Sequence, residues 1–505
     1  MIALLFAAAA LLLHGATAWR YGYFRDELYF IACSKHPAWG YVDQPPLVVA
    51  AAALAAPAHY DLLALRALPI VAAAATALVV VLLARELGGG RFAQILAGTT
   101  AVLAPAYLLL GSTLTTTSFE PLCWTLTIYA AVRVVRGGGT AWWVAAALTV
   151  ALGAYAKYSI ALPVTGIVTG LALTPQRSAL RAGGVGLAIA IVLALTAPNL
   201  WWQGAHGWPI FDVLRGDAAH RPALRNGLVL ESVDFVRNAL SFAAEQFVYT
   251  NPCAAPVWIA GLAAPWRWKS LRDLRFVPIA YAVVCAIALA AGAKGYYVVG
   301  LYGALFAIGA VAVEGAARAW RYGLLAAIVT LALASLPLSL PVLSAQGLIT
   351  YARALGLTGR SGTTPHLIQP VFAEEFGWDR LARDVAAVYR ALPSGERAQA
   401  AVYADTYADA AALDFFGPRY GLPPAISSQN SYYLWGTRGQ SGRILVAVGA
   451  TRIDRLRKYY RSVTLVRTSD EPMKWEVEGP APIYLCRDPV APLSRFWPDL
   501  RWYGA

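Results

Sequence analysis

Asp26 and Glu27 stand side by side at the end of an apolar run from Met1 to Ala18, within "YFRDELYFIACSKHPAWGYVDQPPL" (Tyr23–Leu47). Asp43 follows in the same stretch, just before Pro45-Pro46. Charges beside a bilayer are costly and call for either a solvated or a chemical explanation. A carboxylate there can act as general base toward an acceptor hydroxyl or hold a divalent cation. The plain alternative is an interfacial charge among membrane-belt aromatics, and spacing alone does not separate the two. Arg25, Gln44 and His36 are candidates for positioning an acceptor or the loop itself, although His36 and His206 also read as interface residues.

Three other groups carry chemistry-bearing side chains in apolar surroundings. Glu120 lies in "GSTLTTTSFEPLCWTL", Lys157 in "AYAKYSIALP", and Lys294, Tyr296 and Tyr297 in "GAKGYYVVGLY". A lysine is a point charge for phosphate, and tyrosine hydroxyls donate to phosphate oxygens. Each taken singly also reads as a snorkelling or interfacial residue.

The elements that position these groups are apolar spans. The chain has 505 residues, of which 58% are hydrophobic and 14% charged, well below the charge of a soluble domain. Segments near 1–19, 62–85, 92–111, 116–135, 141–156, 159–174, 183–200, 252–267, 276–292, 297–315 and 321–341 are candidate spans, about eleven in all. The first lacks a basic n-region and is followed by further spans, so it reads as a retained helix. With Met1 cytoplasmic, the loops holding Arg85/Arg91, Arg133/Arg136, Arg177/Arg181, Arg267/Lys269/Arg272/Arg275 and Arg318/Arg321 share the cytoplasmic side. The first loop (20–61), the loop 201–251 and the chain after 345 then lie outside, in the periplasm or its extracellular equivalent. All four chemical groups fall on that same face.

The expected fold is an α-helical polytopic membrane protein of the cytoplasmic (inner) membrane. Its catalytic membrane domain spans residues 1–344, and a C-terminal soluble α/β domain spans 345–505. In the tail, "EEFGWDRLARDVAAVYRAL" has helical spacing, and "RILVAVG", "SVTLVRTS" and "APIYLCRD" read as strands. The stretches 26–36 and 230–248 are amphipathic and suited to lying along the membrane. Net charge is +13, of which +9 falls in 1–344, mostly in short loops, so nucleic-acid binding is excluded as a reading. Cys33, Cys123, Cys253, Cys285 and Cys486 have no metal-ligand spacing. No GxGxxG or P-loop stands in a strand–turn–helix context, so a nucleotide pocket has no support. A divalent cation, Mg²⁺ or Mn²⁺, is compatible with Asp26 and Glu120 as oxygen ligands, but carboxylates without a spaced histidine do not identify a metal.

Anions from two groups and cations from the other two suit a phosphate-linked lipid sugar and an acceptor hydroxyl. In order, the acidic pair, "DQPPL", "SFEPLCWTL", "KYS", "PNLWWQGAHGWP" and "KGYYVVGLY" resemble the bacterial branch of the protein O-mannosyltransferase and aminoarabinose transferase family, in the GT-C superfamily (families 39 and 83). The tail "YADTYADAAALDFFGPRYGLPPAISSQNSYYLWG" resembles the C-terminal domain of that branch. The resemblance implies a GT-C membrane glycosyltransferase that takes a hexose or pentose from a polyprenyl phosphate, on the outer side. It implies Asp26 as base or acceptor-positioning group, Glu27 as its acidic neighbour, Glu120 as the fourth-helix acid, and Lys294 and Tyr297 as donor-phosphate contacts. Two departures stand out. Gln44 occupies the place of a lysine before the two prolines, and Tyr29 that of an arginine three residues after the aspartate. Arg25, Lys35 or His36 are the cations at hand to substitute.

The expected reaction breaks the anomeric C–O bond with polyprenyl phosphate leaving. Lys294, Tyr296, Tyr297 and Lys157 stabilise the phosphate, and Asp26 takes the acceptor proton, giving inversion. Partners are the lipid-linked donor, membrane lipid, and an acceptor that is a glycan, a lipid or a protein. A polytopic lipid or sugar transporter (a flippase) would favour internal repeats, of which none is visible. A non-enzymatic envelope assembly protein would leave Asp26, Glu120 and Lys294 without a shared task.

Overall fold

A computed structural model of the chain describes residues 1–219, 232–357, 370–449, 453–471 and 480–504. Segments of the expected outer loop (220–231), of the amphipathic stretch (230–231) and of the C-terminal domain (358–369, 450–452, 472–479, 505) lie outside the described residues.

Each of the eleven apolar segments contains a helix. Among the described residues, Leu62–Glu86, Gly184–Ala205, Gly295–Glu314 and Arg318–Leu338 are long and apolar enough to cross a membrane singly. Two bent pairs are apolar enough only when taken together, Arg91–Leu103 with Pro105–Ser112 at 56° and Tyr158–Ala172 with Pro175–Arg181 at 117°. Pro105 and Pro175 explain both breaks, since neither ring nitrogen can donate to the preceding turn. Helices approach closely where a side chain is missing: a Cβ on Gly309 of helix Tyr302–Glu314 would run into the Val257 carbonyl of helix Ala255–Arg267. Lipid supplies no hydrophobic drive between helices, so such close backbone contact carries much of their association.

Helix Leu62–Glu86 begins under an Asp61 cap, whose carboxylate accepts from Leu63 N at 2.9 Å, and its two ends define the two faces of the molecule. At its C-terminal end, Glu86 pairs with Arg133 at 2.8 Å, and Arg136 pairs with Asp273 at 2.7 Å. Glu314 accepts from Gly90 N and Ala93 N at the start of the next helix. Loops of four of the basic clusters therefore meet at one end of the bundle. At the other end, Arg66, one turn into the same helix, is buried with 1% exposure.

After helix Ala345–Ala354 the chain forms a second, mixed unit. Four strands, β1 (Ala400–Ala404), β2 (Ile444–Val448), β3 (Tyr460–Ser469) and β4 (Ala481–Pro489), make a sheet in the order β1-β2-β4-β3. β1 runs parallel to β2, and the other two pairings are antiparallel. Helices Trp378–Arg390 and Tyr407–Phe416 pack beside it. Strands β2–β4 lie in the segments read as strands. β1 has no such signal, because "AAVYA" is alanine-rich and has little intrinsic strand preference.

The amphipathic stretch 26–36 forms helix Arg25–Ser34, whose residues 27–33 are buried inside the protein, largely against helix Tyr407–Phe416 of the C-terminal unit. The seam is close-fitting: a Cβ on Gly22 would collide with the Glu375 carbonyl. Arg66 bonds across it, to Glu27 at 2.8 Å and Glu375 at 3.0 Å. Replacing Arg66 by Met strands two buried carboxylates. The expected cost is about 3–5 kcal/mol, read as a large fall in the thermal midpoint of the purified protein. The same change at exposed Arg85 should shift stability by less than about 0.5 kcal/mol.

Candidate active site

Asp26 and Glu27 are neighbours in sequence but about 100° apart around their helix, so they meet different surroundings. Glu27 turns inward and is fully buried. It takes Arg66 Nε and Nη2 at 2.8 and 2.9 Å, Leu114 N at 2.9 Å, and its own helix's Phe24 N at 2.9 Å. Arg66 in turn donates to the carbonyls of Ala18 and Gly22. With both oxygens occupied, Glu27 acts here as a structural carboxylate, closing a capping box and fixing the start of the helix.

Asp26 stays at the edge, with 27% side-chain exposure. Its Oδ1 accepts from the Tyr407 hydroxyl at 2.8 Å, and Arg25 Nε lies 3.5 Å away. Arg25 reaches Glu374 at 3.1 Å. Asp26 Oδ2 has no partner among the described residues. Asp43 lies close enough for the Asp26 charge to act on it, and both its oxygens are taken, Oδ1 by the Tyr29 hydroxyl and Oδ2 by Asn430 Nδ2, each at 2.9 Å. Burial pushes the Asp43 carboxyl up to about 7, against the opposing hydrogen bond from Tyr29.

The two departures from the family pattern are both buried. Tyr29 is 1% exposed and serves Asp43, while Gln44 is 3% exposed with its amide 3.8 Å from Cys33 Sγ. Neither stands open to a phosphate. His36 stacks on Trp435 with centroids 4.2 Å apart, and Lys35 is exposed.

A second cluster collects the remaining candidates. The broken backbone at Lys157, between helices Thr140–Ala156 and Ala161–Ala172, aims its ammonium at Thr117 Oγ1 at 3.0 Å and Glu120 at 3.8 Å. Ser159 donates a hydrogen bond to Glu120. Lys157 Nζ also sits over the rings of Tyr297 and Tyr296, at 4.8 and 5.6 Å, and those rings stack on each other. The segment Lys294–Tyr297 is fixed from beneath: Glu245 accepts from Gly295 N at 2.9 Å, and Gln246 donates to the Gly295 carbonyl at 3.1 Å. The Lys294 side chain is exposed and has no partner among the described residues. Tyr158, next to Lys157, links this cluster to the first loop. Tyr158 in turn bonds to Asn199 and Gln203, and these hold the first loop through the carbonyls of Trp39 and Tyr41.

The structure thus brings together Glu120, Lys157, Tyr296 and Tyr297 in one cluster, with Lys294 at its edge, and Asp26 with Asp43 in the other. Among the described residues no three His, Cys, Asp or Glu side chains form a metal-ligand group, and Asp26 and Glu120 stand in different clusters. Sequence reasoning missed Arg66, Glu375, Tyr407 and Asn430. A lone arginine inside an apolar span was the available signal for the first. The others lie hundreds of residues from their partners and carry no local signal.

Comparison with known proteins follows the same lines. The structure aligns with that of ArnT from Cupriavidus metallidurans bound to undecaprenyl phosphate, with a TM-score of 0.60 at 14% identity, covering 95% of this chain and 97% of that one. The apo state of the same protein gives 0.59. The oligosaccharyltransferase of Archaeoglobus fulgidus in the apo form gives 0.49 at 13% identity, over 84% of this chain and 64% of that one. The chain therefore shares the fold of the ArnT structure along nearly its whole length. A profile of the dolichyl-phosphate-mannose-protein mannosyltransferase family matches residues 43–202, which bears out the resemblance drawn from the sequence. No curated protein sequence matches the chain.

Two carboxyls on the outer seam set a pH dependence. Asp43 moves from 3.8 to about 7 on folding, and Glu375 from 4.5 to about 8, the latter by burial and the Glu27 charge against the opposing Arg66. The folded state therefore binds more protons than the unfolded chain within those windows, so stability falls as pH rises through them. The thermal midpoint should decline from about pH 5 to pH 8. Asp43→Asn should lessen the slope below about pH 7 and leave the decline above it, whereas Glu375→Gln should lessen the slope below about pH 7 and abolish the decline above it.

Proposed function

We propose that this protein is a membrane glycosyltransferase that moves a sugar from a polyprenyl phosphate to an acceptor hydroxyl, at the face where the C-terminal unit sits. The observation that carries the reading is the pairing of the two clusters. Asp26 has one oxygen fixed by Tyr407 and the other uncommitted among the described residues, and the loop that carries it is tied through the Trp39 and Tyr41 carbonyls, Asn199 and Gln203 to Tyr158, next to the lysine of the lysine–tyrosine group.

In this reading Asp26 Oδ2 accepts the proton of the acceptor hydroxyl as its oxygen attacks the anomeric carbon. The anomeric C–O bond breaks on the opposite side, its electron pair leaves with the phosphate, and configuration inverts. Lys157 and Lys294 offset the charge that develops on the leaving phosphate, with the Tyr296 and Tyr297 hydroxyls as donors. Glu120 holds Lys157 in place. The basic loops gather at the other end of the bundle, which supports an N-terminus in the cytoplasm and transfer on the outer face of the cytoplasmic membrane. The ArnT structure containing undecaprenyl phosphate supports that lipid as the carrier. The acceptor is a glycan, a lipid or a protein with an accessible hydroxyl.

The test is transfer by purified protein in nanodiscs, given undecaprenyl-phosphate-linked mannose, glucose, galactose or aminoarabinose with cell-envelope extract as acceptor. One donor should be consumed by the wild type, and Asp26→Asn should lower the rate by about 10²–10⁴-fold. Lys157→Met and Lys294→Met should each raise the donor KM by about tenfold or more, the worth of a charged hydrogen bond. Wild-type rates in Asp26→Asn would remove it as base, and consumption of no donor would remove the transferase reading.

A further inference from the structure

The C-terminal unit carries an unusual segment. Ser427, Ser428, Gln429, Asn430 and Ser431 are five consecutive polar residues, each at most 1% exposed. Burying such a run is costly unless every group finds a partner, so the partners reveal its task. One set anchors it to its own unit. Ile426 N donates to the Val402 carbonyl, Ser428 Oγ meets the Tyr403 hydroxyl at 2.9 Å, and Trp502 N donates to the Ser428 carbonyl. Gln429 Nε2 donates to the Gly504 carbonyl at 2.7 Å, and Gly504 N to Asn430 Oδ1 at 3.1 Å.

The other set crosses the seam to the first loop. Asn430 Nδ2 donates to Asp43, Ser431 N to the Tyr29 hydroxyl that itself donates to Asp43, and Val42 N to Ser431 Oγ. Gln429 Oε1 accepts from Tyr407 N at 2.6 Å, fixing the start of the helix whose first side chain donates to Asp26. Tyr407 is further held by its ring, 4.6 Å from that of Tyr29. Asn430 adopts φ +48°, a left-handed conformation that asparagine tolerates better than most residues. Backbone in this region is retained where its surroundings over-determine it.

The geometry points to Tyr407 and Asn430 as positioning residues for the transfer reaction, acting through Asp26 and Asp43, so that the C-terminal unit completes the active site. This rests on the transferase reading above. Tyr407 occupies Asp26 Oδ1 and so leaves Oδ2 as the oxygen that meets the acceptor. Asn430 and Tyr29 hold Asp43 beside it in one rotamer. Neither Tyr407 nor Asn430 contacts the reacting atoms.

The experiment uses full-length protein in nanodiscs and the undecaprenyl-phosphate-linked sugar that the wild type consumes. Tyr407→Phe keeps the ring contact and removes only the hydroxyl; Asn430→Gly keeps the left-handed backbone and removes only the amide. Each should lower kcat by about tenfold or more with the donor KM changed less than about twofold; the thermal midpoint is retained in Tyr407→Phe and falls in Asn430→Gly, which leaves Gly504 N without its acceptor. In the Asp26→Asn background, Tyr407→Phe should cause little further loss, because its effect passes through that carboxylate. Wild-type kcat in Tyr407→Phe, or a full additional loss in the double variant, overturns the assignment of Tyr407 while an inactive Asp26→Asn leaves the transferase reading standing. If Tyr407→Phe fails to fold, Asn430→Gly decides: wild-type kcat there overturns the proposal. Consumption of no donor overturns both readings together.

Discussion

The guanidinium of Arg66 is the joint on which the seam between the helical bundle and the C-terminal unit depends. It belongs to a membrane-spanning helix, yet its donors go to the first loop through Glu27, Ala18 and Gly22, and to the C-terminal unit through Glu375. A buried arginine cannot shed its proton, so the cost of its charge is met only by complete hydrogen bonding. One cation facing two carboxylates would leave an excess negative charge in the seam. Burial and the Glu27 charge push the Glu375 carboxyl upward against the opposing Arg66, which eases that excess. The result is a hydrogen-bonded joint among three pieces of chain, with Glu27 also holding Leu114 N just before the turn that leads to Glu120.

From that joint outward, hydrogen bonds place the first loop, and the loop places the candidate chemistry. Helix Arg25–Ser34 is short and would be marginal alone. It persists because Glu27 closes its first turn and because its apolar residues are covered by helix Tyr407–Phe416. Asp26 thereby inherits a fixed direction from an element with almost no intrinsic stability. The C-terminal unit therefore belongs to the machinery that orients the loop, and its covering helix is held by the same buried polar run that meets Asp43.

Much of the membrane domain was legible in the sequence. Hydrophobic spans report their own length, and the charges at Glu120, Lys157 and Lys294 announced themselves by interrupting them. The adjacent pair Asp26–Glu27 was legible as a pair but not as two different jobs, because which residue turns inward depends on Arg66 rather than on the dipeptide. Tyr407 and Asn430 were illegible for a stronger reason. Their bonds to Asp26 and Asp43 span 381 and 387 residues, and nothing in "SSQNSYY" distinguishes a surface turn from a buried polar joint. The strand Ala400–Ala404 escaped because three of its five residues are alanine; its pairing with Ile444–Val448 is a tertiary decision.

Arg66 and Lys157 show opposite degrees of commitment, and the difference fits the roles proposed for them. Arg66 is saturated: its fork is spent on two carboxylates and two carbonyls, so no ligand can recruit it without unfolding the joint. Lys157 is held loosely, 3.8 Å from Glu120, on one hydroxyl and two aromatic faces, with 20% of its side chain exposed. A ring face attracts a cation without using up its hydrogen-bond donors. A compact ammonium with donors still to give suits a phosphate that arrives and departs each cycle. A tightly bridged lysine would first have to break its own ion pair. The Ser159 hydrogen bond to Glu120 completes the arrangement, since it steadies the carboxylate and leaves the lysine available.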